Sequence, residues 1–278
     1  MKKLAFVCRI AAYRIAALLM LALFITPCWA QSFPPEQDWI IEMWTGKDAQ
    51  YRQIRNNIDQ RMARGEDVAL IAYNLRKQLR HPLDTKEQFR WAYAAYQTVK
   101  HEKDTNPDQT IGDIVLALRN ADHMNPPRSY EYSRLRYLAM VRAFPEYMLK
   151  PMGERLLKRN PKDYDVMFCQ VVVLEPGVNK VDEATSLAYT RTLIKVQPNT
   201  PRPYRLLGDV YYKMWLNRVL HHSADEPVVF NKALAAYNKA LQVARPNDPF
   251  REKVKASIVN IQKLRVFTQK HPQYYKRG

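Results

Sequence analysis

From about residue 36 onward, apolar positions recur at intervals of three and four residues, and strand-like alternation is almost absent. The last such stretch is the plainest. Val254, Ile258, Ile261 and Leu264 share one helical face behind Asp248, an N-cap residue type, and Pro249, which suits a first helical turn. Thr200-Pro201 and Glu226-Pro227 have the same form of start. The pattern predicts an all-α chain of about ten helices between residues 36 and 271. Val171, Val172, Val173 and Leu174 look strand-like in isolation. The run is short and flanked by helical patterns, so it predicts a buried helix instead.

Prolines at 82, 126, 161, 198 and 246 each follow one helical segment and precede another, at intervals of 44, 35, 37 and 48 residues. Proline stops one helix and lets the next restart at a new angle, so the spacing points to repeated helical hairpins. The best unit runs from Pro201 to Pro246. Tyr204-x2-Leu207-Gly208-x2-Tyr211 is followed there by Ala233-x3-Tyr237-x2-Ala240. In these residues the chain resembles the tetratricopeptide repeat family, with its W-x2-L-G-x2-Y and A-x3-F/Y-x2-A signatures. Gly208 and the alanines would let two helices approach closely while the tyrosines fill the gaps around them.

The resemblance implies a helical-hairpin solenoid with a right-handed superhelix. The unit departs from the family in carrying 13 extra residues between Gly208 and Ala233, around 215–228, which predicts a longer first helix or a protruding loop. Weaker matches lie in Lys86–Lys100, with Trp91, Ala92 and Ala95, and in the segments Glu146–Arg159 and Asp182–Val196. The expected organisation is a leader at 1–30, N-terminal helices at 31–84, repeats at 85–246, and a capping helix with a basic tail at 247–278.

The first thirty residues read as a secretory signal. Lys2, Lys3, Arg9 and Arg14 precede the uncharged run Ile15–Thr26, and Cys28-Trp29-Ala30 supplies a small-residue end. Twelve apolar residues span about 18 Å as a helix, short of the roughly 30 Å hydrocarbon core. Cleavage after Ala30 is the reading this favours, with a retained anchor over residues 15–33 as the alternative. Cleavage would remove four of the 44 Lys and Arg and none of the 27 Asp and Glu, lowering the net charge from +17 to +13. It would also remove Cys8 and Cys28, leaving Cys169 alone in an apolar run, where it reads as a small buried hydrophobe. A disulfide framework and a four-cysteine zinc site are therefore excluded.

Catalytic motifs are sparse. Seven glycines and no GxxxxGK[ST] or GxGxxG exclude the common phosphate loops. His101-Glu102 opens like HExxH, but Thr105 removes the second ligand, and no GxSxG is present. His221-His222, near Asp225 and Glu226, is the one adjacent histidine pair. Neighbouring residues on a helix face different ways, so the pair chelates poorly. No cofactor or metal is expected.

What the repeat resemblance implies instead is a groove lined by the inner positions of the first helices. Carried over residue by residue, it gives Lys86, Phe89, Tyr93, Tyr96 and Gln97, then Tyr130, Ser133 and Tyr137. From the best unit it gives Arg202, Arg205, Asp209, Tyr212 and Lys213. Asp209 stands where members that clamp a partner's C-terminal carboxylate carry Asn, which argues against that specialisation. Tyr offers rigid contact area and Arg forked donors, as suits a protein or peptide partner, acidic where it meets the cations. Residues 251–278 hold eight Lys or Arg against one Glu. Outside the cytoplasm the anions available to such a surface are acidic protein segments, anionic glycans and lipid headgroups; no nucleic-acid motif is present, and no nucleic acid is expected. The expectation is an exported, non-enzymatic interaction scaffold of the periplasm or cell envelope. An exported helical enzyme built around His221 and His222, and a membrane-anchored envelope assembly factor, are the alternatives.

Overall fold

The computed structural model describes residues 46–81, 84–122, 129–248 and 250–271. Contacts divide the chain into 1–45 and 46–278, and every described residue belongs to the second unit. The signal at 1–30, the anchor alternative at 15–33, the prolines at 82, 126 and 249 and the tail at 272–278 lie outside the described residues.

The described chain is all-α, with eleven α-helices and one 3-10 turn. They are α1 (Gly46–Ala63), α2 (Val68–Gln78), α3 (Thr85–Lys100), α4 (Pro107–Asp122), α5 (Tyr130–Ala143), α6 (Lys150–Arg159), α7 (Tyr164–Val173), α8 (Lys180–Val196), α9 (Pro201–Leu220), α10 (Glu226–Val243) and α11 (Phe250–Lys270). The valine run at 171–173 is helical, within α7.

Local chemistry sets the boundaries. Asp67, Asp84, Ser129, Asp163 and Asn179 cap α2, α3, α5, α7 and α8, each accepting a backbone N–H of its own first turn. Proline stands in the first turn of α6, α9 and α10. At α10 the N-cap is Asp225, so the expected start at Glu226-Pro227 lies just inside the helix. Three helices end on a left-handed residue: Gly65 after α1, Glu102 after α3 and His222 after α9. In each, the next amide closes back on the helix: Glu66 to the carbonyl of Arg61 at 3.1 Å, Lys103 to Thr98 at 2.9 Å and Ser223 to Arg218 at 2.9 Å.

From α2 to α11 every helix packs on the next in the chain, and every odd-numbered helix from α1 to α9 also packs on the next odd-numbered one. The core has two connected parts. One joins α1 through α5, with Tyr51, Phe89 and Tyr132 packed ring to ring at 5.0–6.0 Å. The other runs from α5 to α11 and includes Tyr137, Trp215, Phe230 and Tyr237.

The most extensive helix–helix packing is between α9 and α10. A Cβ placed on Gly208 would lie 2.5 Å from the Tyr237 ring, so only glycine lets that ring sit there. The extra residues after Gly208 extend α9 to Leu220, and only a short link separates it from α10. Trp215, fully buried in that extension, packs 5.4 Å from Phe230 and donates its indole N–H to Glu226.

Candidate binding surface

Two ion pairs bring later helices to the end of α3. Lys100, at the end of α3, reaches Asp165, in the first turn of α7, at 2.9 Å. Lys253, near the start of α11, reaches Glu102 at 2.9 Å across 151 residues of sequence. Both contacts bring the beginnings of later helices beside the end of α3.

The Asp165 end of this region belongs to an ionic network. Arg134 of α5 grips Asp163 through Nε at 2.5 Å and Nη2 at 3.2 Å, and reaches Asp165 at 2.8 Å. The Tyr130 hydroxyl donates to Asp163 at 2.8 Å, and Asp163 also caps α7 by accepting from the Val166 amide at 3.0 Å. Desolvation works against the two carboxylates, but Arg134 and Lys100 outweigh it and hold both below their ordinary range. Carboxylates so held, with their lone pairs spoken for, are poor general acids and bases and good fixed anchors.

Beside the network, α9 presents Arg202 and Arg205 one helical turn apart. The Arg202 guanidinium lies 4.4 Å over the Phe168 ring of α7, and that of Arg205 lies 5.3 Å over the Phe250 ring of α11. Arg202 makes no ion pair among the described residues, and Arg205 has only Asp209 at 3.8 Å. Asp209 itself accepts from the Tyr237 hydroxyl at 2.8 Å; burial pushes its carboxyl above the usual range.

The residues expected in the groove divide into two groups. Tyr96 is half-buried on α3, within electrostatic range of Arg202 and Asp165, and burial raises its hydroxyl. Lys86, Arg202 and Lys213 are exposed, Arg205 and Tyr212 half-buried, with the Tyr212 ring 6.0 Å from Trp215. Four assignments are corrected by burial: Phe89 (1% exposed), Tyr93, Tyr130 and Tyr137 (0%) belong to the core. Each buried tyrosine spends its hydroxyl inside the protein. Tyr93 donates to Asp59, Tyr130 to Asp163 and Tyr137 to Gln170, at 2.7–2.8 Å. Gln97 and Ser133 are buried as well. An inner helix packed against helices on both sides keeps only a narrow strip for solvent, and these side chains fall outside it.

Phe168, Phe250, Tyr164 and the Arg134–Asp163–Asp165 network were not legible as site residues. Phe168, Phe250 and the network meet partners some thirty to forty-five residues away in sequence, and only Asp163, an N-cap residue type in a turn after Pro161, left a local signal.

The remaining candidates for chemistry are quiet. His221 and His222 are both exposed, one at the C-cap of α9 and the other in the left-handed turn beyond it. No group of three His, Cys, Asp or Glu side chains that could hold a metal ion occurs among the described residues. Desolvation pushes the Cys169 thiol up to about 12, so it is a thiol rather than a thiolate at neutral pH. No described helix is long and apolar enough to cross a membrane. Comparison of the chain with protein-family models, curated proteins and solved structures gave no match.

Proposed function

We propose that the protein is an exported, non-enzymatic scaffold whose stacked helical hairpins, similar to tetratricopeptide repeats, hold a protein or peptide partner on the concave face of the odd-numbered helices. One observation carries the reading. Several hydrogen bonds linking one hairpin to the next share a nearly constant sequence separation. Tyr51 bonds Thr85 and Tyr93 bonds Asp59, each across 34 residues, while Tyr130–Asp163 and Tyr137–Gln170 each span 33. Tyr147–Asp182 and Arg218–Glu183 span 35. A structural unit of that length, stacked on copies of itself, is what a helical-hairpin solenoid requires.

Function then follows from what the concave strip offers. Guanidinium groups laid on aromatic rings and ion-paired carboxylates supply contact and orientation; affinity accumulates from many modest contacts along the stack. Export is the part of the reading that rests on residues 1–30, and an intact mass beginning at Gln31 tests it. Binding is tested by affinity capture from the cell-envelope fraction with wild-type protein, Arg205→Glu on the concave strip and Lys239→Glu on the exposed side of α10. Loss of the captured partner with Arg205→Glu alone supports the reading. Loss with Lys239→Glu alone moves the binding face to the other side and overturns it.

A further inference from the structure

We infer that Arg202 and Arg205 form a recognition site for the side-chain carboxylates of an acidic, extended polypeptide segment. This rests on the concave-face reading above and adds the chemistry of what is bound there.

Three observations converge. First, the two guanidinium groups stand three residues apart on α9, each lying over a phenyl ring supplied by a different neighbouring helix. A ring under the flat face fixes the orientation of the guanidinium and leaves its N–H edge for a planar acceptor. Second, the local donors exceed the local acceptors. Arg205 Nε is buried without a hydrogen-bond partner, and the Tyr164 hydroxyl, within electrostatic range of Arg202, is buried and unpartnered too. The nearby carboxylates are already engaged: Asp165 by Lys100 and Arg134, and Asp209 by Tyr237 on Oδ1, its Oδ2 standing 3.8 Å from Arg205 Nε, beyond hydrogen-bond reach. Buried donors left without acceptors are uncommon in a finished fold, and an acceptor-rich anion would satisfy them. Third, the spacing of the two arginines suits an extended chain: residues three apart on a helix lie about 5–6 Å from one another, and side chains on one face of an extended chain recur about every 6.5 Å.

The test uses the purified full chain and fluorescence anisotropy at low salt. The probes are a fluorescein-labelled glutamate–alanine peptide, the matching glutamine–alanine peptide and a labelled oligogalacturonate. Wild-type protein should bind the glutamate peptide and not the glutamine peptide. The double variant Arg202→Gln/Arg205→Gln should lose affinity for the glutamate peptide by about tenfold or more. Arg191→Gln/Lys195→Gln, which removes the same charge from the exposed face of α8, should change it less than about twofold. Circular dichroism and melting temperature confirm that each variant is folded.

No binding of the glutamate peptide, or equal loss in both double variants, overturns the proposal. Tighter binding of the oligogalacturonate, lost in the Arg202/Arg205 variant, assigns the site to an anionic glycan and overturns it also. Tyr96→Ala and Tyr212→Ala separate this proposal from the groove itself. Binding weakened by these but not by the arginine variant removes the arginine site and leaves the concave face standing. Binding indifferent to all four residues removes both.

Discussion

The sharpest structural prediction concerns Gly208. Adding a single Cβ there places a carbon 2.5 Å from Cδ1 and Cε1 of Tyr237 and 2.9 Å from Cγ. Non-bonded carbons rest at about 3.5–4.0 Å, so the ring must retreat by roughly 1 Å. It has little room. Tyr237 is 2% exposed and is held at its far end by the hydrogen bond to Asp209. Overpacking of this kind costs about 1–3 kcal/mol, whereas Ala in place of a mid-helix Gly returns about 1 kcal/mol in propensity. Gly208→Ala should therefore destabilise by up to about 2 kcal/mol, a fall in Tm of up to about 8 °C for a domain of this size. Gly208→Leu should cost more. Differential scanning calorimetry gives the number, and a second background isolates the cause. With Tyr237→Leu already in place the obstructing ring is gone, so adding Gly208→Ala should be neutral or stabilising by up to about 1 kcal/mol. A higher Tm for Gly208→Ala in the wild-type background would refute the crossing described for α9 and α10.

Turn strain and ion pairing set three further expectations. His222 holds φ +48°, so His222→Gly should raise stability by about 0.5–1 kcal/mol, read as a higher Tm. Asp163 and Asp165 have folded values below the unfolded carboxylate value of about 3.9, so their stabilisation is complete above that pH and lost as pH falls through the folded values. Asp163→Asn keeps an N-cap residue for α7 but strips the charge from Arg134, and should cost about 3 kcal/mol at neutral pH in urea titrations. The difference from wild type should shrink toward pH 2; a gap that stays constant with pH would contradict the ionic account. Lys253→Ala breaks an ion pair exposed on both sides and should change stability by less than about 1 kcal/mol, within reach of the same titration.

Much of the fold was readable because helix boundaries are written locally. Asp248 and Thr200-Pro201 marked starts that the structure keeps, and Pro161, Pro198 and Pro246 fall in the turns between helices. Gly208 was legible for the same reason, since a glycine between tyrosines in a helical pattern asks for a close neighbour. The inner surface was harder. Periodicity says that Tyr93, Tyr96, Tyr130 and Tyr137 occupy helical faces, but not which of those faces a third helix covers. Tyr96 keeps an exposed edge, while Tyr137 is enclosed by α6 and α7, where Gly153 and Gln170 meet its hydroxyl. The ionic network was invisible for another reason. Lys100, Arg134 and Asp165 are unremarkable surface types in sequence, and only the packing of α3, α5 and α7 brings the two cations within 3 Å of Asp165.

The central claim is that partners are held on the concave face of the odd-numbered helices, and site-specific photo-crosslinking in the cell envelope tests it most directly. A benzophenone amino acid is placed in turn at Arg202, on the concave strip, and at Arg191, on the exposed side of α8. The account predicts a discrete crosslinked adduct from position 202 and none from position 191. An adduct from position 191 alone would contradict it.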